Sequence, residues 1–325
     1  MKYPKFLKDN DTIGVCALSA GVGHKLEDYL KSINVLKENG YRIKEKGSVR
    51  VDDVRGGSSK ERSESLKSLY LDNDVDMVMC AAGGDFCYEI LPYIDLDSIK
   101  NNPKWFMGYS DPTSVCLMIT TKLDIATIYG LNAGSFEKEL RYCNDNLSIL
   151  KGNIISQKSY DLYEDKEGFL SEERMFIHPV YWKTSLKKAK FKGRCIGGCL
   201  DVIKDMIGTD YLDIDNFIDK YKEDGIIWYF DIFSMPSENV YRTLLQMKAA
   251  GYFKHTKGIL FGRVLFDSSF VDMSYEEAYN LAIGDIPYIM DVDIGHSSPQ
   301  MTMINGGIIE VESSKGKGLI KFKLD

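Results

Sequence analysis

At 325 residues, with 44% hydrophobic and 27% charged side chains, the chain has the make-up of a globular protein of two domains or one large one. Its formal charge of −7 argues against nucleic acid or anionic membranes as partners, because its most basic patch, residues 183–192 (KTSLKKAKFK), is isolated. No stretch approaches about 18 apolar residues, and the N-terminus lacks an apolar run of signal-peptide length, so no membrane span and a cytoplasmic location are expected.

Residues 11–17 (DTIGVCA) read as a first strand that ends in the small-residue loop Leu18-Ser19-Ala20-Gly21. Leu26, Tyr29, Leu30, Ile33 and Leu36 then recur at helical spacing up to Gly40, which suits the end of a helix. A short strand follows at 41–43, and residues 58–72 read as an exposed, charged helix. Residues 75–82 (VDMVMCAA) form a continuous apolar run, as in a parallel strand covered on both faces, and end at Gly83-Gly84. Another helix begins at 87–93. Residues 105–107 read as a buried strand, 113–123 as an apolar helix and 125–129 as a further strand.

Strands alternating with helices predict an α/β fold with a doubly wound N-terminal domain, whose sites lie at the carboxyl ends of its strands. Residues 157–190 break this pattern and read as a linker that closes over the site. The second unit, 191–325, is expected to run as a strand at 194–196, a loop at Gly197-Gly198 and a helix at 200–207. After these come a strand (226–230), a helix (239–250), a strand (258–261), a helix (275–283) and the strands 288–294, 307–312 and 319–322. The unit is β-richer than the first, with Gly306-Gly307 and 315–318 (KGKG) as turn signals.

The chain turns most tightly at Gly108-Tyr109-Ser110-Asp111-Pro112, between the strand at 105–107 and the helix at 113–123. Ser110 stands at the tip of this strand-to-helix corner, beside the free amides of a helix start, which is the setting of a nucleophile elbow. A plain helix cap by Ser110 or Asp111 is the alternative.

A serine nucleophile needs a neutral base, in practice a histidine. His24 and His255 lie in surface-like segments and His178 in the linker, whereas His296 follows the strand 288–294 at Gly295. For the carboxylate that orients the ring, Asp231 at the end of the strand 226–230 ranks ahead of Asp291 and Asp293, which alternate on the strand leading to His296. The Asp111 and Gly84 amides are candidates for the two oxyanion donors. Neither glycine pair forms a phosphate-binding loop, and Cys195 with Cys199 is at most half a metal site, so no cofactor and no metal are expected.

The ordered motifs GG…LPYID…NPKWFMGYSD, IGGCLDVI…GT, an acid ending a strand before RTLLQM, and DIGHSSP resemble the LD-carboxypeptidase family of serine peptidases, which includes the microcin C self-immunity peptidases. The resemblance runs from the first strand to the last. It implies a flavodoxin-like N-terminal domain, a smaller C-terminal β-rich domain and a homodimer with the site between the domains. It also implies a triad of Ser110, Asp231 and His296 with an oxyanion hole at Gly84 and Asp111. Two departures stand out. Asp231 is one methylene shorter than the family's glutamate. The first glycine loop reads Ala82-Gly83-Gly84-Asp85-Phe86 instead of the Arg-Gly-Gly-Tyr-Gly typical of murein-tetrapeptide enzymes.

The second departure points to the microcin-immunity branch, which cleaves an amide between a peptidyl or aminoacyl aspartate and a modified adenylate. Gly83, Asp85 and Trp182 are then expected to contact substrate, with Trp182 stacking on the base or, equally, covering a seam between domains. The expectation is a serine hydrolase acting on a peptidyl- or aminoacyl-nucleotide. A murein tetrapeptide LD-carboxypeptidase and a non-catalytic ligand-sequestering protein are the rivals.

Overall fold

The structure, a computed structural model, describes residues 1–136, 140–153, 156–171 and 173–324; the Cys143 side chain lies outside the described set. It comprises two compact units, Met1–Ile154 with Thr302–Asn305, and Ile155–Met301 with Gly306–Asp325.

The first unit alternates strands and helices: β1 (Thr12–Cys16), α1 (Leu26–Glu38), β2 (Arg42–Lys46), α2 (Ser59–Leu71), β3 (Met77–Cys80), α3 (Leu96–Asn101), β4 (Trp105–Gly108), α4 (Thr113–Leu123), β5 (Thr127–Tyr129) and α5 (Leu140–Leu150). The five strands pair in parallel in the order β2-β1-β3-β4-β5. This is the flavodoxin-like order, and its switch point lies between β1 and β3. β1, β3, β4 and β5 are buried along their whole length, which explains why they read as unbroken apolar runs. A sixth strand, Met303–Asn305, returns from near the end of the chain to pair antiparallel with β5. Three residues show no periodicity, so nothing in the sequence announces it.

The second unit contains β6 (Ser156–Lys158), β7 (Leu162–Tyr163), α6 (Lys166–Leu170), β8 (His178–Pro179), β9 (Lys183–Thr184), β10 (Ala189–Cys199), α7 (Leu200–Met206), α8 (Ile214–Lys220), β11 (Ile226–Asp231), α9 (Ser237–Ala249), β12 (Thr256–Gly262), α10 (Tyr275–Ile283) and β13 (Tyr288–Val292). With Met303–Asn305 as β14, β15 (Ile308–Ser314) and β16 (Lys317–Lys323) complete the chain. Its main sheet runs β6-β16-β15-β10-β11-β12-β13-β9. The four central strands β10 to β13 are parallel and the flanking ones antiparallel.

Two expectations change here. The segment 157–190, read as a linker, supplies edge strands at both ends of this sheet, β6 and β9, and the β7–β8 pair. Gly197 and Gly198, read as a loop, lie within β10 and pair with Tyr229 and Phe230. Glycine is needed there because a Cβ on Gly197 would fall 1.9 Å from the Tyr229 carbonyl oxygen. No described helix is long and apolar enough to cross a membrane.

Candidate active site

The first unit gathers its candidates at the carboxyl ends of β1, β3 and β4. Ser110 is half-buried and holds φ +66°, a left-handed conformation that a side-chain-bearing residue adopts at a cost of roughly 1–2 kcal/mol. Its neighbours hold it in that conformation. The Ser110 amide donates to the Tyr129 hydroxyl (3.2 Å), the Tyr109 amide to Asn132 Oδ1 (3.2 Å), and the Thr113 amide and hydroxyl to the Ser110 carbonyl (2.9 and 2.6 Å). The N-cap of α4 is Pro112, with no side-chain cap, so neither Ser110 nor Asp111 plays the capping role.

Asp111 is buried, and its carboxylate accepts from the Ser19 hydroxyl and from the Cys87 amide (2.7 Å). Burial raises its pKa, opposed by the hydrogen bonds from Ser19 and the Cys87 amide. Ser19 also accepts from the Phe86 amide (3.2 Å), so one hydroxyl ties the elbow to the glycine loop. Within that loop a Cβ on Gly83 would crowd the Ser110 Cβ at 3.2 Å. Gly84 has φ +143°, and a Cβ there would fall 2.5 Å from the Ser19 hydroxyl. The Gly84 and Asp111 amides are engaged by no other group among the described residues. Asp85 beside them is exposed.

The second unit brings Asp231 and His296 together. Asp231 ends β11, and His296 lies four residues beyond β13, two strands away in the sheet. The loop between crosses the end of β12 at Gly262, where a Cβ would meet the Ile294 carbonyl oxygen at 2.2 Å. The outcome is direct contact: Asp231 Oδ2 lies 2.8 Å from His296 Nδ1, and Oδ1 accepts from the His296 amide at 3.3 Å. Asp231 is fully buried and His296 nearly so. Phe233 packs on the imidazole with ring centroids 4.6 Å apart, and Asp201 accepts the Phe233 and Ser234 amides (3.0 and 3.1 Å) to hold that loop.

The other acids of this region are already engaged. Asp291 pairs with Lys183 (2.9 Å). Asp293 is buried, pairs with Arg263, and accepts from the Tyr160 amide (3.1 Å) and from Trp182 Nε1 (3.0 Å). Of the two roles expected for Trp182, its burial speaks against stacking on a base. It is 1% exposed, and its ring lies across Gly318, where a Cβ would fall 1.9 Å from Cε3. It is packed inside its own unit and presents no face for stacking. His24 and His255 are exposed, and His178 lies 3.1 Å from Asp165. Cys195 and Cys199 are buried thiols outside any disulfide.

Two family models match the chain, that of the LD-carboxypeptidase N-terminal domain over residues 13–130 and that of the C-terminal domain over residues 192–311. The chain belongs to the LD-carboxypeptidase family. Membership makes it a peptidase, and its relatives carry names to match. A protein of Vibrio cholerae named as a carboxypeptidase is 27% identical over 316 residues, covering 93% of this chain and 92% of that one. The "Probable murein peptide carboxypeptidase" of Bacillus subtilis is 26% identical, covering 98% and 94%. The microcin C7 self-immunity protein of Escherichia coli is 25% identical, covering 90% and 88%.

Among solved structures, an MccF-like protein from Bacillus anthracis superposes with a TM-score of 0.85 at 25% identity over the whole of both chains. The microcin C7 self-immunity protein in complex with aspartyl sulfamoyl adenosine gives 0.83 at 23% identity, covering 99% and 98%. These likenesses bear out the α/β family fold with its flavodoxin-like first domain.

Proposed function

We propose that the chain is a serine hydrolase that cleaves an amide bond through Ser110, His296 and Asp231, and that its substrate is an acidic aminoacyl- or peptidyl-nucleotide. The observation that carries the catalytic reading is the 2.8 Å contact between His296 Nδ1 and the buried Asp231 carboxylate, the pairing that orients the ring of a catalytic histidine. The strained turn at Ser110 supports the nucleophile.

In this mechanism Ser110 Oγ adds to the amide carbonyl carbon while its proton passes to His296 Nε2. The oxyanion is met by the Gly84 and Asp111 amides. His296 then returns the proton to the departing nitrogen, the C–N bond breaks, and an acyl-Ser110 ester remains. Water, losing a proton to His296, adds to that ester, and Ser110 is regenerated with release of the carboxylic acid. Asp231 stabilises the imidazolium through both addition steps.

The substrate class rests on the resemblance to the microcin-immunity branch, on the glycine loop, where Ala82 stands in place of the arginine typical of the murein enzymes, and on the LPYID at 91–95 that follows it. A murein tetrapeptide is the second reading, favoured by the named B. subtilis relative and by the burial of Trp182. The shorter acid at 231 is the ground for the sequestering reading, and the direct contact at His296 weighs against it. The deciding experiment incubates the purified chain separately with aspartyl sulfamoyl adenosine and with a murein tetrapeptide and follows both by mass spectrometry. Cleavage of the first alone supports the substrate assignment, cleavage of the tetrapeptide alone replaces it, and binding without cleavage of either restores the sequestering reading. A cytoplasmic homodimer completes the proposal, and light scattering tests its mass.

A further inference from the structure

Arg62 is 1% exposed on α2, a helix that reads in sequence as charged and solvated. A capping box places it: the Ser58 side chain accepts from the Glu61 amide, and the Glu61 carboxylate accepts from the Ser58 amide (3.0 Å), so Arg62 enters on the first turn. Its guanidinium serves three main-chain carbonyls from two site loops. Nη1 donates to the carbonyls of Leu18 (2.7 Å), Phe86 (2.9 Å) and, at longer range, Ser19 (3.4 Å). Nη2 pairs with Glu89 (2.7 Å). Burying a cation this completely carries a desolvation penalty that an apolar residue would avoid.

We infer that Arg62 is a positioning residue that sets the direction of the Gly84 amide; the inference rests on the oxyanion role proposed above for that amide. Leu18 and Ser19 lead into Ala20, whose amide donates to the Gly83 carbonyl (3.2 Å). In a trans peptide the N–H points opposite to the C=O, so holding the Gly83 carbonyl toward Ala20 turns the Gly84 N–H the other way. Phe86, two residues after Gly84, is held by the same guanidinium. Arg62 thus clamps the loop on one side of Gly84 directly and on the other through the β1 loop. Only a planar fork with several fixed donors fits this task; the lysine ammonium is a point charge on a flexible stem.

The test compares Arg62→Lys, Ser110→Ala and wild type on whichever of aspartyl sulfamoyl adenosine and a murein tetrapeptide the wild type turns over, with thermal unfolding recorded for each. Removing one oxyanion donor lowers kcat by about 10²–10³, and misdirecting one should lower it by roughly 10–100-fold with KM within about threefold. A merely structural role would lower melting temperature and leave kcat per folded molecule unchanged. If Arg62→Lys does not fold, Arg62→Gln with added guanidinium below denaturing concentration takes its place, and recovery of kcat at constant KM is the expected result. A folded variant with wild-type kcat, a rise in KM alone, or no recovery with guanidinium overturns the inference while an inactive Ser110→Ala leaves the catalytic reading standing. If Ser110→Ala remains active, or wild type cleaves neither compound, the catalytic reading fails and takes the inference with it.

Discussion

Both carboxylate oxygens of Asp231 are directed at one residue: Oδ2 lies 2.8 Å from Nδ1 of His296, and Oδ1 accepts the His296 main-chain amide. One acid therefore fixes the ring and the backbone that carries it. Asp231→Asn keeps the shape and loses the charge. It is expected to lower kcat by up to about 10⁴ with little change in KM, as loss of a triad acid does. Steady-state kinetics beside Asp291→Asn provides the check, because Asp291 pairs with Lys183 and its variant should stay near wild type. The reverse ranking would reassign the acid.

The shorter acid fits because the surroundings are tight. Gly295 has φ +104°, and a Cβ on it would stand 2.0 Å from Asp231 Oδ1. Asp231→Glu, which restores the family's longer acid, adds a methylene to a fully buried site and should cost about 1–3 kcal/mol by overpacking. Gly295→Ala should be at least as damaging, since it adds both the clash and the φ penalty. Melting temperature and kcat should fall together in both variants. Full activity in Asp231→Glu would mean that the acid and the ring move apart freely.

Under the nucleophile role proposed for Ser110, the strain of its φ +66° corner serves catalysis rather than stability. Ser110→Ala should abolish turnover and leave stability nearly unchanged. Ser110→Gly should be equally inactive but more stable than Ser110→Ala by about 1 kcal/mol, because glycine adopts φ +66° without the Cβ penalty. Denaturant midpoints of the two variants decide the point, and equal midpoints would show an unstrained corner.

Trp182 should behave as a core residue. Trp182→Ala is expected to lose about 3–5 kcal/mol of stability and to leave the Asp293 carboxylate without its indole donor. Turnover of nucleotide-bearing and peptide substrates should then fall alike. A selective loss for the nucleotide ligand would reinstate the stacking role.

How much of this was legible in sequence depends on the range of the interaction. α4 and α10 carry their bounds, 113–123 and 275–283, in their own residues, and the corner at Ser110 is announced by Gly108 and Pro112 around it. Asp231 and His296 could be ranked because each ends or follows an apolar strand. Their contact spans 65 residues and depends on Gly262, which has no local mark. Arg62 was hidden by its charge, since a charged residue on a helix of low hydrophobicity reads as solvated. Ser19 was hidden by distance: it meets Asp111 across 92 residues of chain. The burial of Trp182 against Gly318 was not legible because an aromatic ring carries the same signal whether it faces a ligand or a glycine.

Ser19 carries the last prediction. Its hydroxyl donates to the buried Asp111 carboxylate and accepts from the Phe86 amide. Burial raises the Asp111 pKa above its ordinary value, and the bond from Ser19 opposes that rise. A carboxyl whose pKa is raised by folding binds its proton more tightly in the folded state. Its ionisation therefore costs stability as pH climbs from the unfolded value, about 3.9, through the folded one, and the cost is constant above both. Ser19→Ala removes a donor to the charged form, pushes the folded pKa further up and enlarges that cost. The variant should thus be less stable than wild type by a margin that is larger at about pH 7.5 than at about pH 4.5. Loss of the bond from the Phe86 amide to the Ser19 oxygen involves no titrating group and is pH-independent, so it separates from the loss at the Asp111 carboxylate. Melting temperatures of both proteins at the two pH values measure the margin. A margin of the same size at both would mean that the Cys87 and Phe86 amides hold the Asp111 carboxylate and that the Ser19 hydroxyl serves only the glycine loop.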